Sequence, residues 1–147
     1  KLLPQKKKKQ ISCFLAVLNT ETGELVCVNG GHNPPLLKNG DANWEYQKIK
    51  HACALGVSPK AKFTAVSLQM NLGDSFIMYT DGVTEAMNSD REQFGETRLK
   101  EFLDSHDIDP KNTVEDLRTA LSEYAGSYPQ SDDITMLMLT LKKDVNS

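Results

Sequence analysis

Apolar runs that alternate with turn-forming residues dominate the first third of the chain. Residues 11–18 and 24–29 are β-prone and enclose a turn cluster at 19–23 that contains a glycine. Two such runs around a short glycine-containing loop predict a β-hairpin. A second, shorter hairpin is predicted where residues 36–37 and 44–46 enclose another glycine-containing turn.

Three further strands are expected later in the chain. Residues 63–70 alternate loosely between apolar and polar positions, and a tight turn at 71–74 follows them. Residues 75–80 are nearly all apolar, which predicts a central strand covered on both faces. The last apolar run, from Ile134 to about Leu141, predicts the final strand.

Apolar residues recur at helical spacing only in the segment between these last two strands. Residues 82–87 predict a helical turn or short helix, and an apolar stripe predicts a second helix over about 96–104. A third helix is predicted from a capping sequence at Thr113 to a C-terminal cap at Gly126. Strands, then helices, then one strand, without βα alternation, indicate an α+β layered sandwich with mostly antiparallel sheets.

The same periodicities predict which side chains form the core. Positions two apart are expected to face inward in strands, and positions three or four apart in helices. The predicted core residues are Phe14, Val17, Val26, Val28, Phe76, Met78, Leu99, Phe102, Leu117, Leu121, Ile134, Met136 and Leu139.

Length and composition are typical of one soluble globular domain. The chain has 147 residues, of which 39% are hydrophobic and 25% are charged. We expect a polar linker or loop at 1–10, the domain at 11–141 and a short tail at 142–147. The net charge of −3 argues against nucleic acid as a partner. No membrane-spanning run or signal peptide is visible, so we expect no membrane contact by this segment and a cytoplasmic location.

The three cysteines, Cys13, Cys27 and Cys53, occur in an odd number and without Cys-x-x-Cys spacing. A disulfide framework or a zinc site is therefore not expected. All three lie among apolar or small neighbours, which predicts buried thiols in a reducing cytoplasm.

Acidic residues stand at the ends of the two most apolar strands. Asp81 follows the run at 75–80, and Asp132 and Asp133 precede the final strand. Adjacent carboxylates repel unless a cation neutralises them, and magnesium or manganese prefers such oxygen ligands. We therefore expect a site for a hard divalent cation, suited to phosphate chemistry. Each aspartate taken alone is more typical of a turn or a helix cap, and only their joint position at the two strand ends favours the metal site, so this alternative stays open.

His32 and Asn33 follow a Gly-Gly pair and leave two interpretations open. A histidine here could be a metal ligand or a general acid. The interpretation we favour is a sharp loop whose polar side chains bond to its own backbone. The chain contains neither a P-loop nor a nucleophile elbow, which argues against the enzyme classes that depend on them.

Five motifs occur in an order that matches a known family. They are Asn29-Gly30-Gly31-His32-Asn33-Pro34-Pro35-Leu36-Leu37, Leu55-Gly56-Val57, Leu72-Gly73-Asp74, Tyr79-Thr80-Asp81-Gly82-Val83-Thr84-Glu85-Ala86 with Phe94-Gly95 and Leu99, and Gln130-Ser131-Asp132-Asp133-Ile134-Thr135. From about Ile11 to Leu141 the chain resembles the SpoIIE/RsbU branch of the PPM metal-dependent serine/threonine protein phosphatases.

The resemblance implies an αββα sandwich of PPM type with a two-metal site, and Mn²⁺ or Mg²⁺ as cofactor. In that family the aspartates of the Thr-Asp-Gly motif and the terminal Asp-Asp motif bind metal. This implies catalytic and metal-binding roles for Asp81 and Asp132, with Asp133 as a further candidate ligand. The implied mechanism has no covalent nucleophile, because a metal-bridging water attacks phosphorus in line.

One family motif has no counterpart in the chain. The family carries an earlier segment of Asp-Val-x-Gly-His-Gly type, which supplies the bridging aspartate, the first strands of one sheet and two helices. The chain therefore resembles the C-terminal two-thirds of the domain, incomplete at its N-terminus. We expect this fragment alone to be weak or inactive, and its open sheet edge predicts self-association.

The resemblance also implies a role for the parent protein. That role is a metal-dependent phosphoserine/phosphothreonine phosphatase of bacterial partner-switching signalling, in sigma-factor regulation and stress response. The implied partner is a phosphorylated regulatory protein of the anti-sigma-factor-antagonist type. The parent could be membrane-anchored through segments not present here. The alternative is a non-catalytic, degenerate phosphatase-like module for binding or signalling.

Overall fold

The computed structural model describes residues 10–106, 109–130 and 132–142. The chain divides into two compact units, one from Lys1–His32 and Lys48–Gln69 and the other from Asn33–Gln47 and Met70–Ser147. In chain order the elements are β1 (Cys13–Leu18), β2 (Glu24–Gly30), β3 (Leu36–Lys38), β4 (Glu45–Tyr46), β5 (His51–Ala52), β6 (Val66–Gln69), β7 (Ser75–Tyr79), α1 (Asp81–Thr84), α2 (Gly95–Ser105), α3 (Pro110–Ala125) and β8 (Met136–Thr140).

The first unit is a four-stranded sheet with β2 at its centre. β1 and β2 pair antiparallel, which confirms the predicted hairpin. β6 pairs antiparallel with the first part of β2, and the short strand β5, which was not predicted, pairs parallel with its end. Within the part of the chain that is described, β1 is an end strand of this sheet.

The buried face of the first hairpin differs from the prediction. Leu25 and Cys27 are buried, whereas the predicted core residues Val26 and Val28 are only half-buried. Val17 was also predicted to be buried and is 62% exposed. β2 carries apolar residues on both faces, so its pattern alone does not decide which face turns inward. A shift of one residue exchanges the two faces of a strand, which explains the error.

Only one of the three cysteines has the predicted burial. Cys27 is buried on β2, and burial raises the pKa of its thiol to about 11, so it stays protonated and unreactive at neutral pH. Cys13 and Cys53 are exposed, contrary to the prediction. Cys13 shares the open face of β1 with Val17, because alternate residues of a strand face the same way.

The second unit contains the other sheet and the three helices. Its strand order is β4-β3-β7-β8, and each neighbouring pair is antiparallel. The predicted second hairpin (β3–β4) and the predicted central position of β7 are both confirmed. In the register of β7 and β8, Tyr79 lies opposite Met136. The end of β7 and the beginning of β8 therefore meet at one edge of the sheet.

Helices and sheet of the second unit share one apolar core. Phe76, Leu99, Leu117 and Leu121 are buried as predicted. Burying one such side chain stabilises the fold by roughly 1.5–3 kcal/mol. The buried cluster comprises Leu36, Trp44, Ile77, Tyr79, Val83, Phe94, Leu99, Leu103, Leu117 and Leu121, with Phe102, Ile134 and Met136 among the partly buried residues packed against it.

The third helix begins earlier than its predicted capping sequence. It starts at Pro110, and Thr113 is a buried residue of its first turn. A proline at the first helical position lacks only an N–H that would have no partner there, so it favours this start. Gly126 ends the helix with a φ of 55°, as predicted from its sequence position. No helix of the described residues is long and apolar enough to cross a membrane.

Candidate functional site

Asp81 lies where the central strand of the second unit changes into a helix. β7 ends at Tyr79, Thr80 has an extended backbone, and Asp81 opens the four-residue helix α1. Gly82 and Val83 are buried, whereas Asp81 is exposed. The local fold therefore anchors the residues after Asp81 in the core and leaves its carboxylate at the surface.

Thr80 extends the pairing of β7 and β8 by one residue beyond the end of β7. Its N–H donates to the Thr135 carbonyl at 3.0 Å. Its hydroxyl donates to the Asp133 carbonyl at 2.9 Å and accepts from the Thr135 N–H at 2.9 Å. Three hydrogen bonds thus tie the residue before Asp81 to the segment that carries the terminal aspartates.

Gly82 allows the two acidic segments to touch. A Cβ atom at this position would lie 2.5 Å from the Asp133 carbonyl oxygen and 3.3 Å from that of Asp132. Real Cβ atoms do not approach a backbone oxygen so closely, so any larger residue would force the segments apart. The glycine was visible in the Thr-Asp-Gly motif, but its steric role was missed by sequence reasoning, as was that of Thr80.

The terminal aspartates are held by local hydrogen bonds. Asp132 Oδ1 accepts from the Asp133 N–H at 2.8 Å, and the Gln130 side chain donates to the Asp132 carbonyl at 2.7 Å. Both aspartates are exposed. The first bond orients the Asp132 carboxylate while its other oxygen remains available to a ligand.

The structure therefore brings the segments of Asp81, Asp132 and Asp133 together at one end of the second sheet. Exposed carboxylates of this kind suit a hard divalent cation such as Mg²⁺ or Mn²⁺. In the described part of the chain, no group of three or more His, Cys, Asp or Glu side chains is arranged to hold a metal ion. The chemistry of the aspartates fits such a cation, but their arrangement among the described residues does not amount to a complete set of ligands.

Tyr79 gives this end of the strand an apolar backing. It is buried in the core cluster, directly before Thr80. Burial raises the pKa of the Tyr79 phenol well above its ordinary value, so it stays neutral at physiological pH. The residue that precedes Thr80 therefore adds no charge to this end of the strand.

The Gly-Gly-His loop has a structural explanation in the first unit. Asn29, 3% exposed at the end of β2, accepts from the His32 N–H at 2.8 Å and donates to the His32 carbonyl at 3.0 Å. The His32 ring meets the Phe14 ring edge-on at 6.3 Å. These contacts support the loop interpretation. Asn29 opens the first sequence motif, but no role was predicted for it, although a polar residue at the end of an apolar strand is a usable signal.

Comparison with known proteins agrees with the predicted family. The family model for Stage II sporulation protein E (SpoIIE) matches residues 2–142. Protein IcfG of Synechocystis sp. is 33% identical over 129 residues, which are 84% of this chain and 19% of that protein. The chain thus spans about a fifth of the length of this relative.

Solved structures show the same fold. The phosphatase domain of SpoIIE from Bacillus subtilis superposes with a TM-score of 0.71 at 17% identity, covering 92% of this chain and 60% of that one. The RsbU and RsbW domains of Rv1364c from Mycobacterium tuberculosis give a TM-score of 0.66 at 27% identity, with 90% and 36% covered.

These similarities confirm the predicted α+β fold of PPM-phosphatase type, which the chain covers only in part. They also confirm the family inferred from the five sequence motifs. The chain belongs to the SpoIIE family.

Proposed function

We propose that the protein containing this chain is a Mn²⁺- or Mg²⁺-dependent phosphoserine/phosphothreonine protein phosphatase. The observation that supports this most is the backbone contact of Gly82 with Asp133 and Asp132. It places the two motifs that carry acidic residues next to each other in a chain of the SpoIIE family. The solved SpoIIE structure that shares this fold is that of a phosphatase domain.

In this proposal Asp81 and Asp132 hold divalent cations, and Asp133 is the neighbouring candidate ligand. A bound cation of this type lowers the pKa of a water molecule and polarises phosphate oxygens. A manganese-presoaked form of the SpoIIE phosphatase domain supports manganese as the first metal to test. In this proposal further ligands come from residues other than those that the structure describes, because the described residues form no group of three candidate ligands.

The proposed biological role is partner-switching signalling in the bacterial cytoplasm, with sigma-factor regulation and stress response as its output. One structural relative carries RsbU and RsbW domains together, which supports a regulatory partner protein. The proposed substrate is a phosphorylated protein of the anti-sigma-factor-antagonist type. Segments outside this chain could anchor the parent protein to a membrane.

A second candidate function is a degenerate phosphatase-like module that binds or signals without catalysis. The incomplete set of acidic ligands among the described residues favours it. The two functions differ in what lies before Lys1 in the reading frame. An Asp-Gly-His-Gly-like motif some tens of residues upstream favours the enzyme, and a reading frame without this motif favours the binding module.

Hydrolysis of p-nitrophenyl phosphate tests the proposal. The full-length product should hydrolyse it with Mn²⁺ and lose this activity on chelation. Asp81→Asn and Asp132→Asn should each abolish most turnover, while Asp116→Asn, an exposed aspartate of α3, should not. The chain of 147 residues alone should be a weak catalyst.

Two results would contradict this assignment. Metal-independent turnover by the full-length product would exclude the metal mechanism. Strong Mn²⁺-dependent turnover by this chain alone, abolished by Asp81→Asn, would show that another acidic residue of the chain completes the site.

A further inference from the structure

A cavity of about 400 Å³ opens beside the acidic segments, within the second unit. Residues of α1, α3 and the start of β8 line it, together with the connection between α3 and β8. This volume lies near the lower end of the range of sites that bind small ligands.

The cavity adjoins the candidate metal site through two shared residues. Gly82 lines it, and the same residue contacts the Asp132 and Asp133 carbonyls. Gln130 also lines it while its side chain donates to the Asp132 carbonyl. A peptide whose phosphoserine lies at Asp81 and Asp132 would therefore reach the cavity with residues close to that phosphoserine.

The lining of the cavity has a definite chemical character. Leu121, Ala125 and Ile134 give it mainly apolar walls, and Arg118 adds a cation. Arg118 is 68% exposed, and its Nε lies 3.4 Å from the carboxylate of Glu115, which is 62% exposed. An exposed pair of this kind is weak, so Arg118 can exchange this partner for another carboxylate.

We propose that this cavity binds an apolar side chain of the phosphoprotein substrate, with an acidic residue next to it that pairs with Arg118. The inference rests on the proposed phosphatase function and adds a determinant of substrate choice. Apolar burial supplies affinity, and the arginine selects against basic neighbours. The reacting phosphate itself does not enter the cavity.

Binding of synthetic phosphoserine peptides to the full-length protein tests the proposal without requiring turnover. The panel places Leu-Glu at successive spacings on either side of the phosphoserine, and each peptide has a Ser-Gln counterpart. Fluorescence anisotropy gives the Kd. At one spacing the Leu-Glu peptide should bind at least about tenfold more tightly, the lower limit of the change expected from burying one leucine side chain.

Three variants locate the effect. Ala125→Phe fills the cavity and should abolish the Leu-Glu advantage, while Thr119→Phe, on the exposed face of the same helix, should preserve it. Arg118→Glu leaves the packing intact and should remove the contribution of the peptide glutamate. Thermal unfolding of each variant confirms that it is folded.

Each outcome decides a separate claim. An advantage that survives Ala125→Phe in a folded protein, or the absence of any advantage at every spacing, overturns the cavity proposal. If the protein prefers the Leu-Glu peptide but does not hydrolyse p-nitrophenyl phosphate, peptide binding in the cavity is supported and the proposed phosphatase function is rejected. Equal hydrolysis of p-nitrophenyl phosphate by the wild type and Ala125→Phe would show that the cavity affects peptide binding and not the chemical step.

Discussion

The Thr80 hydroxyl donates a hydrogen bond of 2.9 Å to the main-chain carbonyl of Asp133. These residues are 53 positions apart, and the same hydroxyl accepts from the Thr135 N–H. One side chain therefore joins the residues that follow β7 to the residues that precede β8, directly beside Asp81.

Thr80→Val should destabilise the protein and impair the candidate site. The variant keeps the shape of threonine but leaves the Thr135 N–H and the Asp133 carbonyl without their partner. Both bonds are exposed, so water can replace part of what is lost, and the expected loss in the free energy of unfolding is about 0.5–1.5 kcal/mol, measured by urea denaturation. Thr80→Ser should retain most of the stability. Thr119→Val, on the exposed face of α3, serves as the control, and an equal loss there would contradict the role of Thr80.

Gly82→Ala should be more harmful than the same substitution at a glycine with open space around it. The new methyl group would meet the Asp133 carbonyl oxygen at 2.5 Å, so the acidic segments must separate. We expect more than about 2 kcal/mol of lost stability and loss of Mn²⁺-dependent hydrolysis by the full-length product. Gly40→Ala is the control, because its φ is 53° with open space around it. It should cost about 1 kcal/mol from backbone strain and leave activity intact.

Stability should fall at acidic pH partly through Asp104. Its partial burial raises the pKa, but hydrogen bonds from Lys100 and from the Trp44 N–H outweigh this effect and lower the pKa below its usual value. Because the folded-state pKa is the lower one, Asp104 stabilises the fold above the unfolded-state value. This contribution is lost as the pH falls through the folded-state value.

Urea denaturation from about pH 6 down to about pH 3, which spans the ordinary aspartate pKa near 3.9, measures this contribution. Asp104→Asn should be less stable at pH 6 and should show a flatter decline than the wild type. Asp116→Asn, at an exposed position of α3, should follow the wild-type curve. Parallel curves for the wild type and Asp104→Asn would refute the assignment.

Arg91→Gly should stabilise the loop before α2. Arg91 has a φ of 63°, in the left-handed region that disfavours residues with a Cβ. It closes a tight turn in which its N–H donates to the Asn88 carbonyl at 3.0 Å. We expect a gain of about 1 kcal/mol, since relief of strain exceeds the added unfolded-state entropy. Ser89→Gly in the same turn should instead lower the melting temperature. A lower melting temperature for Arg91→Gly would disprove the strain.

The end strand β1 should mediate self-association of this chain. Leu15 and Val17 are 60% and 62% exposed on it. The strand from Cys13 to Leu18 contains no charge or proline to block pairing with another strand. Sedimentation velocity should show a dimer or larger species, reduced by Val17→Lys but not by Val57→Lys, a control outside the strand. A monomeric wild type at high concentration would contradict this prediction.

Local pattern was sufficient to predict the order and type of most elements. The first hairpin, the central position of β7 and the C-terminal end of α3 at Gly126 depend on neighbouring residues. Periodicity, turn glycines and run length carry this information within a few positions. Motif order was likewise sufficient to identify the family, and it singled out Asp81, Asp132 and Asp133 as candidate ligands.

Tertiary structure decided those features that depend on contacts between residues far apart in the sequence. The inward face of β2 was ambiguous because both of its faces are apolar, so only packing selects Leu25 and Cys27 for burial. The two-residue strand β5 exists only by pairing with β2. Gly82 and Asp133 come into contact because β7 and β8 are neighbours in the sheet, although about fifty residues separate them in the sequence. Local sequence encodes the conformation of each segment, whereas such contacts arise only when the packed sheet brings the segments together.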